Sequence, residues 1–173
     1  MRVLAAGATI AVMAFVWDAA RAYPDGAPWG AANPAAEQNC ATCHFDDEPL
    51  RDSEMLVIRG LPEQPAPGAQ YELEVVFADP NAVVAGFQLV AQAVEQQAGA
   101  FASSAANIEF IGSAIRSTAP ARNDGGISWV LEWRVPLEIE SPIVFHVAAT
   151  AANDDGSPFG DTVHFRSYTL SME

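Results

Sequence analysis

Tyr71-Glu72-Leu73-Glu74-Val75-Val76-Phe77 decides the fold. Tyr71, Leu73, Val75 and Phe77 fall on one side of an extended chain, and Glu72 and Glu74 fall on the other, which is the period of two that a half-buried strand requires. The same alternation returns toward the C-terminus. Phe87, Leu89 and Ala91 alternate with Gln88 and Gln92, and Trp129, Leu131, Trp133 and Val135 with Glu132 and Arg134. Ile143, Phe145 and Val147 alternate with His146, and Val163 and Phe165 with His164 and Arg166. Asp79-Pro80-Asn81, Asn123-Asp124-Gly125-Gly126 and Asp154-Asp155-Gly156-Ser157 supply turn chemistry between these runs. Strands at this spacing, joined by polar turns, predict an all-β chain folded as an antiparallel β-sandwich. Met55 to Arg59 reads as a first strand, and Leu61 to Ala69, with its prolines, as an extended connector. Val90 to Ala106 is ambiguous: its Ala and Gln suit a short helix, against which Gly99 and Ser103-Ser104 count.

Toward the N-terminus the regular pattern stops. Cys40 to Asp52 reads as a polar loop carrying Asp46, Asp47, Glu48 and Asp52, and Tyr23 to Gln38 as an extended lead-in interrupted by Pro24, Pro28 and Pro34. Before it, Arg2, the apolar run Val3 to Trp17 and the small residues around Ala20-Arg21-Ala22 read as a signal peptide cleaved after Ala22. An uncleaved N-terminal anchor is the alternative. The run is shorter than the roughly 20 apolar residues that span a bilayer, and no second such stretch follows. The expected organisation is a signal peptide over 1–22, a lead-in with its polar loop over 23–53 and a sandwich over 54–173. The mature chain is expected to be soluble, without a membrane span, and periplasmic or extracellular.

Acidic residues number 22 against 8 basic ones, for a formal charge of −14, and every basic residue is Arg. Nucleic acid and anionic membrane surfaces are thereby disfavoured as partners, because phosphate recognition needs a concentrated basic patch. Such a surface suits a salty medium or steers basic partners toward it.

The motif that carries chemistry is Cys40-Ala41-Thr42-Cys43-His44, formed by the chain's only two cysteines. C-x-x-C-H is the spacing at which two thiols reach the two vinyl groups of one haem and the adjacent His supplies the proximal iron ligand. Cys40, Cys43 and His44 are therefore expected to hold a covalent haem c. Met55, Met172, His146 and His164 are the candidates for the distal iron ligand. Parity puts His146 and His164 opposite the presumed core faces, where both would meet a haem lying on the sandwich surface. The alternatives are a Cys40–Cys43 disulfide, a redox C-x-x-C lacking the usual βαβ setting, and a zinc site with His146 or His164 as a further ligand. Asn153, Asp154, Asp155 and Asp161 form a weaker oxygen-rich constellation for Ca2+, although its spacing is not that of an EF-hand and an acidic turn explains it better.

Several segments resemble reelin-type (Reeler) domains. Tyr23-Pro24-Asp25-Gly26-Ala27-Pro28 is similar to their Tyr-Pro-x-Gly-Ala-Pro opening. Gly86-Phe87-Gln88-Leu89 with Ala98-Gly99-Ala100-Phe101, and Trp129 to Pro136 with Ile143-Val144-Phe145, resemble two of their strand pairs. Cys40 to His44, Ala151-Ala152-Asn153, Gly156 and Gly160-Asp161 are similar to the pattern of exported bacterial choice-of-anchor V domain proteins. The resemblance spans nearly all of the mature chain and implies an immunoglobulin-like β-sandwich. Reelin-type domains pair separated cysteines, which this sequence lacks, and no C-terminal anchor like that of the bacterial group is expected.

Two functions compete. One is an exported monohaem c-type protein acting in electron transfer or as a redox accessory with a partner protein. The other is a non-enzymatic secreted sandwich for adhesion or recognition with a Cys40–Cys43 disulfide. No catalytic constellation rises above background in so acidic a chain, so no enzyme is expected.

Overall fold

The alternating segments pair as strands of two antiparallel sheets. The structure, a computed structural model, describes residues 23, 25–26, 30–94 and 96–171. The signal-peptide reading of 1–22, Met172 and part of the Tyr23–Pro28 pattern therefore lie outside the described residues. In chain order the elements are a single helical turn, α1 (Cys40–Cys43), then β1 (Leu56–Arg59), β2 (Gln70–Phe77), β3 (Val84–Ala93), β4 (Gln96–Gln97), β5 (Ala100–Ala102), β6 (Ile108–Ile111), β7 (Ala114–Ser117), β8 (Ala121–Arg122), β9 (Ile127–Arg134), β10 (Ile143–Ala152) and β11 (Thr162–Leu170). The smaller sheet runs β1-β2-β9-β5, and the larger runs β11-β10-β3-β7-β6 with β4 and β8 also paired to β3. The antiparallel β-sandwich is the predicted fold.

The period-two pattern of β2 meets its match in β9, where Tyr71 pairs with Trp133, Leu73 with Leu131 and Val75 with Trp129. Across the gap, β10 lies beside β3 with Phe145 opposite Ala91 and Val147 opposite Leu89. These inward residues form one core, in which the Trp133 and Phe145 rings meet edge-on at 4.8 Å and Phe87 and Trp129 lie 4.7 Å apart. Such aromatic pairs contribute about 0.5–1.5 kcal/mol each beyond the area they bury. The turn residues act through their side chains: Asp79 Oδ1 accepts from Asn81 N at 2.8 Å, and Asn123 Oδ1 from Gly126 N at 2.9 Å. Across Val90–Ala106 the chain forms the end of β3, then β4 and β5, and no helix among the described residues.

The larger sheet is covered on both faces. Residues 30–53 lie over its outer side, where Ala31 N donates to Gln88 Oε1 at 2.6 Å and Ala32 is fully buried. Ala32, Val90, Ala114, Ala148, Val163 and Phe165 make a second, smaller core, with Cys40 and Ala41 packed against it. Beyond α1 the chain runs beside β11, with Leu50 N bonded to Val163 O and Phe165 N to Leu50 O, each at 2.8 Å. This third layer corrects two parity expectations. Gln88 is buried although it alternates with the core residues of β3. In β11 it is Val163 and Phe165 that face the outer layer, while His164 points into the space between the sheets against Phe77. No helix among the described residues is long and apolar enough to cross a membrane.

Candidate functional site

Cys40–Cys43 folds as one helical turn because its neighbours cap it. Asn39 Oδ1 accepts from Ala41 N at 3.0 Å, and Thr42 Oγ1 accepts from Asn39 N at 3.1 Å, a reciprocal capping box. Cys40 N is tied to Ala31 O at 3.1 Å, which fixes the turn to the outer layer. Residues three apart on a helix share a face, so both thiols sit on one side of the turn, half-buried and free. Burial, with Cys43 adding to it, pushes the Cys40 thiol up to about 12. That is opposite to the lowered value of an attacking redox cysteine.

His44 ends the turn, and its Nδ1 lies 2.7 Å from Asp161 Oδ2. The His44 side chain keeps 19% of its surface exposed and that of Asp161 only 2%. Burial pushes the Asp161 carboxyl up, opposed first by the hydrogen bond from His44. Its other oxygen, Oδ1, is buried without a hydrogen-bond partner among the described residues. The loop that delivers Asp161 is strapped to the loop after α1. Gly160 N donates to Asp46 Oδ2 and Thr162 Oγ1 to Asp47 Oδ2, each at 3.1 Å, and the Phe45 and Phe159 rings meet edge-on at 5.7 Å.

Cys40, Cys43, His44 and Asp161 line one side of a cleft of about 170 Å³ over the outer face of the larger sheet. Its floor is made of the cross-strand pairs Gln88–Ala148, Gly86–Thr150 and Val84–Ala152. Four residues of strand separate the first pair from the last, roughly 13 Å at about 3.3 Å per residue. Apart from Gln88 and Val84 the floor carries only small side chains.

The other predicted ligands do not reach this cleft. Met55 is exposed in the turn before β1. His146 lies in a separate depression with Gln92 and Val144, its Nδ1 2.8 Å from Ser167 Oγ. His164, expected on an open face, is fully buried with Ser53 Oγ 2.8 Å from Nδ1 and Asp79 Oδ2 2.9 Å from Nε2, so neither nitrogen is left to ligate. The calcium candidates Asn153, Asp154, Asp155 and Asp161 stay near one another, but each already has an oxygen engaged in a hydrogen bond. Asp161 serves His44, Asp154 Oδ2 accepts from Arg122 at 2.7 Å, and Asp155 Oδ1 accepts from Ser157 N at 2.8 Å, as in an acidic turn. No group of three or more His, Cys, Asp or Glu among the described residues is placed to hold a metal ion, and His146 and His164 both lie away from the two thiols. The sequence reading named Asp161 only as a weak calcium candidate, did not pair it with His44, and missed the Ser53–His164–Asp79 network.

The fold and the cleft together define a β-sandwich with an added outer layer. No protein-family model matches the chain, and no curated protein matches it. Among solved structures it is similar to the Reelin-N domain of F-spondin, with a TM-score of 0.59 and 16% identity over 77% of this chain and 96% of that one. The human F-spondin reeler domain aligns with a TM-score of 0.53 and 16% identity over 72% of this chain and 95% of that one. The chain thus has a reeler-like fold.

Proposed function

We propose that this is an exported monohaem c-type protein, serving electron transfer or a redox accessory role, with haem c bound through Cys40, Cys43 and His44. One observation carries the reading: both free thiols and His44 sit on a single capped turn at one cleft, with His44 Nδ1 already engaged, which leaves Nε2 for iron. Cys40 and Cys43 would hold the haem as thioethers, each S–H adding across one vinyl group so that sulfur bonds to one vinyl carbon and the hydrogen to the other. The caps from Asn39 and Thr42 keep the two sulfurs on one side for this. The cleft is smaller than the roughly 300–1,000 Å³ of sites that enclose their ligand, which suits a tethered cofactor over one retained by burial. The bound haem supplies one-electron iron chemistry. The N-terminal segment 1–22, read from the sequence as a signal peptide, supports export to the periplasm or beyond.

Haem staining on a denaturing gel and a pyridine haemochrome spectrum test the reading. Protein made with the c-type maturation machinery should stain, and Cys40→Ser with Cys43→Ser should abolish the stain. A colourless wild-type protein overturns the proposal. The reeler-like fold favours a second reading, a recognition or adhesion sandwich with a Cys40–Cys43 disulfide. Intact mass separates the two, as a loss of two hydrogens or a haem-sized gain.

A further inference from the structure

Asp161 combines features that a loop strap alone does not need. It is 1% exposed, so water does little to screen it. Its one side-chain partner across the site is His44, and its second oxygen has no hydrogen-bond partner among the described residues. The loop is also fastened by Asp46, Asp47 and the Phe45–Phe159 contact, and besides His44 the Asp161 carboxyl takes a backbone hydrogen bond from Asn153 of the same loop. A ligating imidazole that donates its other N–H to a carboxylate is held in one tautomer and becomes a stronger donor to the metal. In a dry site, a hydrogen bond to an ionised acceptor is stronger than one to a neutral acceptor.

We infer that Asp161 is the positioning residue for His44, fixing Nε2 as the ligating nitrogen and giving the imidazole part of the character of imidazolate. The inference rests on the haem reading above. Added electron donation favours ferric over ferrous iron, so Asp161 sets a lower reduction potential than a neutral acceptor would. Hydrogen bonding around the axial ligand is one of the means by which a protein tunes such an iron.

The experiment uses the full haem-loaded chain. Asp161→Asn keeps an oxygen acceptor of the same shape and removes the charge, and Asp161→Glu restores a carboxylate. Haem content by pyridine haemochrome should be equal in wild type and Asp161→Asn. The potential of Asp161→Asn should be higher, with the oxidised-to-reduced ratio at a fixed potential shifted at least tenfold, equivalent to 59 mV for one electron. Asp161→Glu should return part of the shift. Loaded proteins of equal potential overturn the inference alone, because a strap acts on folding and not on the iron. Wild-type protein without haem overturns the underlying reading, and this inference with it. Should the variants fail to fold, histidine-labelled wild-type protein still decides. A His44 Nδ1 proton protected from exchange in the haem-loaded form supports the inference, and a freely exchanging one overturns it.

Discussion

His44 and His164 each meet an aspartate, yet their circumstances are opposite. His44 keeps one nitrogen uncommitted beside a cleft, whereas His164 is sealed between Ser53 and Asp79 with Phe77 edge-on at 4.9 Å. Burial lowers the His164 pKa, and the Asp79 carboxylate opposes that shift without reversing its direction. The unfolded chain, with His near about 6.5, then binds the proton first as pH falls. The contribution of neutral His164 to stability is complete above about pH 6.5 and is lost below it. Urea unfolding at neutral and mildly acid pH should show this loss in wild type and a smaller one in His164→Gln, and equal losses would place the slope elsewhere. Asp79→Ala, which strands His164, should cost about 1–3 kcal/mol. At this scale the sequence disclosed Cys40, Cys43 and His44, because the motif is contiguous. It hid Asp161, 117 residues from His44, and Asp79, 85 from His164, because only sheet register brings them together.

Among the elements, alternation located β2, β9 and β10 because each has one face against the core and one less covered. It placed Phe87, Leu89 and Ala91 of β3 on the core face correctly but missed the burial of the opposite face, and it reversed the faces of β11, where the outer layer takes Val163 and Phe165. Gly99, just before β5, shows how tightly one connection is built. Its φ is +81°, and an added Cβ would fall on the Arg134 carbonyl oxygen and lie 2.7 Å from Trp133 Nε1. That indole donates to Ala98 O at 3.0 Å, so the clash also strikes a buried hydrogen bond. Gly112 has φ +57° with nothing near its Cβ position. Gly99→Ala should therefore cost about 3 kcal/mol and Gly112→Ala about 1 kcal/mol by denaturant unfolding, the range expected for strained backbone. Equal costs would mean that the Arg134 backbone yields freely.

At the scale of the whole molecule, a net charge of −14 without one lysine makes the surface a one-signed field. Near the cleft, Asp46, Asp47 and Asp155 are exposed. Attraction of cations to such a surface weakens as the Debye length shrinks from about 30 Å at 0.01 M to about 10 Å at 0.1 M salt. For the haem-loaded protein, reduction by a cationic metal-ammine donor should slow severalfold across that range, and reduction by an anionic donor should quicken. Stopped-flow rates that ignore salt for both donors would show that the iron is reached through a neutral region. The sign of this field was legible from composition alone. The three-layered build was not, since nothing in the Pro- and Ala-rich stretch before Cys40 says which surface it covers.

The strap between the loop after α1 and the loop before β11 also has a consequence in time. During synthesis the thiols emerge first, and Asp161 follows 117 residues after His44. The partners of β2 and β3 are late as well, since β9 and β10 come from the last third of the chain. A segment waiting for such distant partners stays open, because long-range pairing is slow. Chemistry at Cys40 and Cys43 therefore has an interval in which it meets an unfolded and unhindered chain. If haem is attached as proposed, attachment would come first and the contact with Asp161 last, with the final residues to arrive closing over work already done.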